Sequence, residues 1–141
     1  MIGSTVPDQK LSVAGNASKS VGGAFWATYS DRRLKDLHGD YTKGLSEIVN
    51  LQPVVFNYKA ENPLDLPNEN IEYGLIAQEV QDIFPEAVSE SRKGYLQLNM
   101  NPINVAFINA IKELKSANDN LQEKVNDLES RLAEIESMLQ Q

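Results

Sequence analysis

Residues 101–141 read NPINVAFINAIKELKSANDNLQEKVNDLESRLAEIESMLQQ. No glycine or proline follows Pro102 in this stretch, so nothing in it interrupts a helix. Asn101 and Pro102 form a typical helix start, with asparagine as the N-cap and proline at the first helical position. The sequence therefore predicts one long helix that continues to the C-terminal end of the chain.

The apolar residues of this helix recur in alternating steps of four and three from Phe107 onward. Position a holds Ile111, Asn118, Val125, Leu132 and Leu139, and position d holds Phe107, Leu114, Leu121, Leu128 and Ile135. This heptad repeat is typical of a coiled coil, in which an asparagine at position a fixes the register at some cost in stability. The residues at a and d do not by themselves separate a dimer from a trimer.

Charged residues beside the heptads favour a parallel coiled coil. In that arrangement Lys124 faces Glu129 of a neighbouring chain, and Arg131 faces Glu136. The alternative is an amphipathic helix that packs on its own domain. The stretch from Ile111 to Leu139 would be about 42 Å long, which exceeds the width of a core of about 70 residues.

Upstream of this helix, residues 30–100 alternate short helical and extended patterns. Leu45, Ile48, Val49 and Leu51 form a helical stripe that Pro53 stops. VVFNYK, EYGLIA and YLQLN are typical of strands, AENPLDLPNEN of a loop and RKG of a turn. QEVQDIFPEAV predicts a short helix with an apolar face, ended near its proline.

The chain is thus expected to be an α+β protein with three parts. Residues 1–29 are rich in small residues and predict the end of an upstream β-rich segment, residues 30–102 a small mixed globular domain, and residues 103–141 the coiled-coil helix. The expected assembly is a parallel trimeric coiled coil, in which the number of helices rests on a family resemblance and not on the heptads.

Composition excludes several classes of function. A net charge of −7 argues against nucleic-acid binding, which needs a basic face, and against an anionic membrane. The chain has no cysteine and a single histidine, His38, so we expect no disulfide, no metal site and no cofactor. No apolar run approaches the ~20 residues of a membrane span.

The stretch ATYSDRRLKDL, residues 27–37, carries a serine five residues before a lysine. Taken alone, it is most simply an N-cap region followed by a charged first helical turn. A serine hydroxyl becomes a nucleophile when a base takes its proton, and a neutral lysine serves in Ser-Lys hydrolases. Since an offset of five places two residues on different faces of a helix, we expect Ser30 and Lys35 to meet at a bend, with Ser30 before the helix.

SDRRLK, LQPVVFNYK, YGLIAQEVQDIFPEAV, YLQLN and the AIKEL helix, in this order, resemble the endosialidase-type intramolecular chaperone domain. That domain lies at the C-terminus of many phage tail spikes and fibre proteins. The resemblance covers residues 30–115 and implies a homotrimer that brings an upstream fibre domain of the same chain into register. It places the protein in a phage tail or a cell-surface fibre, acting during assembly, in the cytoplasm of the producing cell if the source is a phage.

The resemblance also implies that the domain is a single-turnover autoprotease that cuts the bond between Tyr29 and Ser30. It implies Ser30 as the nucleophile and Lys35 as the base. From the residues themselves, Asp31 is expected to cap or orient the turn, and Gln78 to be a buried hydrogen-bonding group near the site. Backbone amides near Gly22 or Gly23, or the guanidinium of Arg33, are the candidates for holding the reacting oxygen. The alternative is a permanent trimeric tip of a fibre adhesin that does not cleave.

Overall fold

The computed structural model describes residues 28–140. Its helices and strands are α1 (Leu45–Ile48), β1 (Val54–Phe56), β2 (Glu72–Gly74), α2 (Ala77–Ile83), β3 (Val88–Glu90), β4 (Leu96–Leu98) and α3 (Asn101–Leu139), with 3-10 turns at Arg32–Leu34 and Pro85–Ala87. This arrangement confirms the α+β class and the long C-terminal helix. The predicted end of an upstream β-rich segment, residues 1–29, lies outside the described residues except for its last two residues.

Two antiparallel hairpins provide the β structure of the described part of the chain. β1 pairs with β2, with Val54 opposite Gly74, and β3 pairs with β4, with Val88 opposite Leu98. Gly94, in the RKG turn, has a φ of 79°, which glycine adopts without a steric penalty. The three strands and the turn predicted from the sequence are confirmed.

β3 was not predicted from the sequence, which indicated a helix ended near Pro85 and no strand at Val88–Glu90. α2 ends at Ile83, and Pro85 begins a 3-10 turn that leads into the strand. Since the last residues of PEAV carry no strand pattern of their own, the strand depends on pairing with β4.

The core lies where α2 and the 3-10 turn after it pack against the start of α3. Its buried members are Val80, Phe84, Ala87, Ile103 and Ala106. Partly buried side chains complete this cluster: Tyr41, Ile48, Leu51, Leu75, Ile83, Val88 and Leu98. Val49 is exposed, so only part of the predicted stripe of α1 faces the core.

The start of α3 differs from the prediction by one residue. The helix begins at Asn101, Met100 occupies the N-cap position, and its side chain makes no capping hydrogen bond. Asn99 supplies the missing acceptor, because its Oδ1 accepts a hydrogen bond from the Asn101 backbone N–H at 3.0 Å. An asparagine therefore caps the first turn, as expected for this residue type, but from two positions earlier.

α3 changes its surroundings along its length. Ile103, Ala106 and Ala110 are buried on the chain's own core, at the spacing of one helical face. From residue 111 onward every described residue of the helix is exposed. At 1.5 Å per residue α3 is about 58 Å long, so it extends well past the core.

The C-terminal helix matches the amphipathic alternative only at its start. The first turns pack on the domain itself, as the amphipathic alternative required. The a and d side chains beyond them are exposed, from 45% for Val125 to 81% for Leu139. The coiled coil and its trimeric state remain predictions, since the structure is that of one chain. None of the described helices is long and apolar enough to cross a membrane.

Candidate functional site

Residues 28–40 form an exposed segment ahead of the core. A 3-10 turn over Arg32–Leu34 folds this segment back on itself. Asp31 is the N-cap of the turn, and its Oδ1 accepts a hydrogen bond from the Arg33 backbone N–H at 2.9 Å. Lys35 follows in extended conformation, so the turn separates the serine from the lysine.

This turn brings the two predicted catalytic side chains together. Lys35 Nζ lies 2.7 Å from Ser30 Oγ, within hydrogen-bonding distance. Ser30 precedes the turn and Lys35 ends it, so the two residues meet at a bend and not on one helical face, as the offset of five required. A serine hydroxyl at this distance from an amine has the geometry of a nucleophile and its base.

Arg33 is bound to Asp31. Its guanidinium donates to both carboxylate oxygens, with Nη2 2.7 Å from Oδ2 and Nε 3.1 Å from Oδ1. The side-chain hydrogen bonds from Arg33 lower the pKa of Asp31, and the carboxylate in turn raises the pKa of Arg33. Asp31 therefore serves both as cap and as partner of Arg33, which ties the turn together but adds no long-range contact.

Gln78 and Tyr29 are the other predicted site residues, and both are exposed. Gln78 was expected to be buried, but it is exposed, and that prediction is wrong for the single chain. The reason is helical geometry, since Val80 faces the core and a residue two positions earlier lies about 200° around the helix. Tyr29 is exposed, whereas the neighbouring aromatic residues Phe25 and Trp26 lie outside the described residues.

The sequence analysis missed a polar cluster just after the exposed segment. Tyr41 donates its hydroxyl proton to Glu86 Oε1 at 2.6 Å, and Lys43 Nζ lies 3.1 Å from Glu86 Oε2. Lys43 also donates to the backbone carbonyl of Ile83 at the end of α2 and lies 4.7 Å from the centre of the Phe84 ring. The cluster joins the core to the chain just after residues 28–40, the dyad segment, which carries the pair Ser30 and Lys35.

Electrostatics within this cluster follow from its partial burial. Burial and the hydrogen bond to Glu86 raise the pKa of Tyr41, so the phenol remains a donor. Burial also acts to raise the pKa of Glu86, but hydrogen bonds from Tyr41 and Lys43 outweigh it, and the net pKa is lowered. A signal for this cluster was absent from the sequence, because its members are 43 and 45 residues apart.

Acidic residues of α2 and of the 3-10 turn after it do not form a site of their own. Glu79 and Asp82 are exposed, and Glu86 is bound to Tyr41 and Lys43. Within residues 28–140 no group of three or more metal-ligating side chains is placed to hold an ion.

Comparison with known protein families places this geometry in context. Residues 30–89 match the family described as chaperone of endosialidase. The match begins at Ser30 and covers the dyad segment, both strands of the first hairpin, α2 and the start of β3. The match supports an endosialidase-type intramolecular chaperone domain in this part of the chain. The family implies association with an upstream fibre or tail-spike domain and the setting of a phage tail fibre.

Proposed function

We propose that the chain trimerises through α3, brings an upstream fibre domain into register, and then releases itself by cleavage between Tyr29 and Ser30. The observation that carries the cleavage step is the 2.7 Å distance between Lys35 Nζ and Ser30 Oγ. The family match supports the chaperone role. The contact between Lys35 and Ser30, the first matched residue, supports the cleavage chemistry.

The proposed reaction begins with attack of Ser30 Oγ on the carbonyl carbon of Tyr29. Neutral Lys35 takes the hydroxyl proton, and the lysine ammonium then gives that proton to the Ser30 nitrogen as the peptide C–N bond breaks. An ester now joins the Tyr29 acyl group to Ser30 Oγ. Water hydrolyses this ester, which leaves a carboxylate on Tyr29 and a free amino group on Ser30.

Lysine acts as a base only when it is neutral, and its pKa in water is about 10.4. Burial and nearby cations are the two effects that lower a lysine pKa. Ser30 and Lys35 are exposed in the single chain, and Arg33 is already neutralised by Asp31. We therefore propose that a neighbouring copy covers the dyad, so that cleavage follows assembly.

Assembly is supported by the surface of α3. From Ile111 to Leu139 the a and d positions carry apolar side chains, with the exception of Asn118, and they are exposed along the whole free part of the helix. Exposed apolar stripes of this length are rare on monomeric proteins and mark interaction surfaces. Registration by a trimer would shorten the slow search of an upstream β structure for its long-range contacts.

Release after folding would leave the upstream fibre without the element that assembled it. Its persistence would then depend on a high barrier to unfolding, which is kinetic stability. A chain that assembles but does not cleave would instead be a permanent tip, and the experiment below separates the two.

The test is mass analysis of the purified protein beside Ser30→Ala and Lys35→Ala, with the oligomeric state measured in parallel. We expect the unaltered protein to yield fragments 1–29 and 30–141, the second with Ser30 at its N-terminus. Both variants should remain intact and trimeric, with cleavage slowed at least ~100-fold. A trimeric unaltered chain that stays at full length would contradict the cleavage and leave the permanent tip.

A further inference from the structure

The dyad segment joins the core at residues 41–45, and α3 holds this junction. The side-chain amide of Asn109 donates to two backbone carbonyls there, that of Tyr41 at 2.7 Å and that of Lys43 at 2.9 Å. Both bonds are partly buried, where hydrogen bonds are less exposed to competition from water. One side chain of α3 thus fixes the direction in which the backbone leaves Tyr41.

Glu113, one helical turn after Asn109, holds the next part of the junction. Its Oε2 accepts a hydrogen bond from the Leu45 backbone N–H at 3.1 Å, which satisfies a free donor at the start of α1. The close approach requires a glycine at position 44, because a Cβ there would overlap Glu113 Oε1. Gly44 itself is buried, so the carboxylate and the backbone are in direct contact.

Asn109 and Glu113 lie on a different face of α3 from the heptad seam. With Ile111 at position a and Leu114 at position d, Asn109 falls at position f and Glu113 at position c, both on the outer side of a coiled coil. Packing of partner helices at a and d therefore leaves both junction contacts intact.

The dyad segment itself makes no described hydrogen bond to the rest of the fold. For residues 28–40, every described bond has both partners within the segment, including Lys35 Nζ to Ser30 Oγ and Arg33 to Asp31. Six residue steps separate Lys35 from Tyr41, which corresponds to at most about 20 Å of extended chain. The position of Tyr41 thus limits where the dyad can lie.

We propose that Asn109 and Glu113 are positioning residues for the cleavage at Tyr29–Ser30. By holding residues 41–45 against α3, they fix the end of the exposed segment on the helix that assembles and so limit where the dyad can lie. The dyad then meets the same surface of a neighbouring copy in every protomer. This inference rests on the proposed function, since it assigns how the assembled helix controls that reaction.

The test compares cleavage rates of trimeric protein carrying Asn109→Ala, Asn109→Asp, Glu113→Ala or Glu113→Gln. Rates are measured at a temperature where circular dichroism shows each variant fully folded. Asn120→Ala and Glu123→Ala are the matched controls, since both residues are exposed on the outer side of the free part of α3. The initial rate of appearance of fragment 30–141 is the quantity compared.

We expect Asn109→Ala to slow cleavage about 10-fold to 100-fold, because misplacement by about 1 Å has effects of this size. Asn109→Asp should be at least as slow, although it keeps the shape, because a carboxylate cannot donate to two carbonyls. Glu113→Ala should slow cleavage about 3-fold to 10-fold. Glu113→Gln should restore it, since an amide oxygen still accepts from Leu45. A purely packing role predicts the opposite order for the two Asn109 variants.

Each remaining outcome decides the matter. Variants of Asn109 and Glu113 that cleave at the rate of the unaltered protein would overturn the positioning role and leave the proposed function standing. Loss of the trimer in these variants would also overturn it, since the residues would then act in assembly. An unaltered trimer that stays intact would overturn both proposals.

Discussion

The core of this molecule and the two segments beside it differ in what covers their side chains. Between residues 41 and 110 the chain buries a small apolar cluster on itself, around Phe84 and Ile103. Residues 28–40 and 111–139 are exposed throughout, although one carries the dyad and the other an apolar stripe. The core therefore needs only its own chain, whereas the function proposed for the flanking segments needs a second one. This difference can be tested by changing each region separately.

The largest effect is expected from charges in the exposed stripe of α3. Replacing Leu121 and Leu128 together by aspartate should abolish assembly, because a trimer would bury six leucines worth roughly 1.5–3 kcal/mol each. Sedimentation should show a monomer, and near-ultraviolet circular dichroism should show a retained core. The matched control is Asn120→Asp with Ser130→Asp, which adds the same charge on the outer side of the helix and should remain trimeric. A double leucine variant that still assembles would show that the exposed stripe of α3 does not hold the chains together.

The second prediction concerns the core alone. Phe84→Ala should lower the free energy of unfolding of the domain by about 3–5 kcal/mol, because the side chain is fully buried. Tyr73→Ala, at an aromatic side chain that is 79% exposed, should change it by less than about 0.5 kcal/mol. Urea unfolding of the monomeric leucine variant measures both values without a contribution from assembly. Equal effects would mean that the exposed face of the first hairpin is packed in the monomer.

A third prediction follows from Glu86, at the border between the core and the dyad segment. Because its pKa is lowered in the folded state, it contributes stability above the unfolded pKa of about 4.3. That contribution is lost as pH falls through the lower, folded pKa. Glu86→Gln should cost on the order of 1 kcal/mol at neutral pH and flatten part of the acid dependence.

Thermal melts between pH 3 and 7 measure this effect. Glu47, whose pKa is lowered by its hydrogen bond from the Gly44 backbone, remains in the variant and should preserve some acid dependence. Glu79→Gln, at an exposed residue of α2, is the control and should leave the profile unchanged. An acid profile of Glu86→Gln that matches the unaltered protein would show that the cluster does not stabilise the fold.

The smallest effect on stability is expected at Asp31. Asp31→Ala removes the cap of the 3-10 turn and the partner of Arg33, both of them in an exposed segment without described hydrogen bonds to the core. The melting temperature should stay within error, while cleavage should slow by roughly 10-fold or less, since the bend that joins Ser30 to Lys35 is loosened. Calorimetry beside a cleavage assay separates the two readouts. A clear drop in melting temperature would show that the segment packs on the fold.

Much of the fold follows from local patterns. Pro85 ends α2, β-branched and aromatic residues form β1, and the heptad spacing of α3 extends from the core to Leu139. The errors arise where tertiary contacts decide. β3 exists through its pairing with β4, and Asn99 replaces Asn101 as the capping side chain.

The site divides in the same way. Ser30 and Lys35 are five residues apart, so helical geometry alone predicts that they meet at a bend, as they do. Glu86 lies 45 residues from Tyr41, and Asn109 lies 68 residues from it. No spacing rule connects positions so distant, and polar residues on an outer helical face are ordinarily free in solvent. The contacts of Glu86 and Asn109 therefore follow from the tertiary structure and not from the sequence pattern.

The rigid attachment of the core to α3 has a geometric consequence for register. Because Asn109 and Glu113 fix the domain to one height on the helix, a slip of one heptad between parallel helices would shift one whole domain by about 10.5 Å along the axis. This shift exceeds the spacing of two neighbouring strands, about 4.8 Å. The upstream β-rich segments of the three chains could then no longer align. A fixed position of the core on α3 would therefore make the register of the three helices set the register of the three upstream chains.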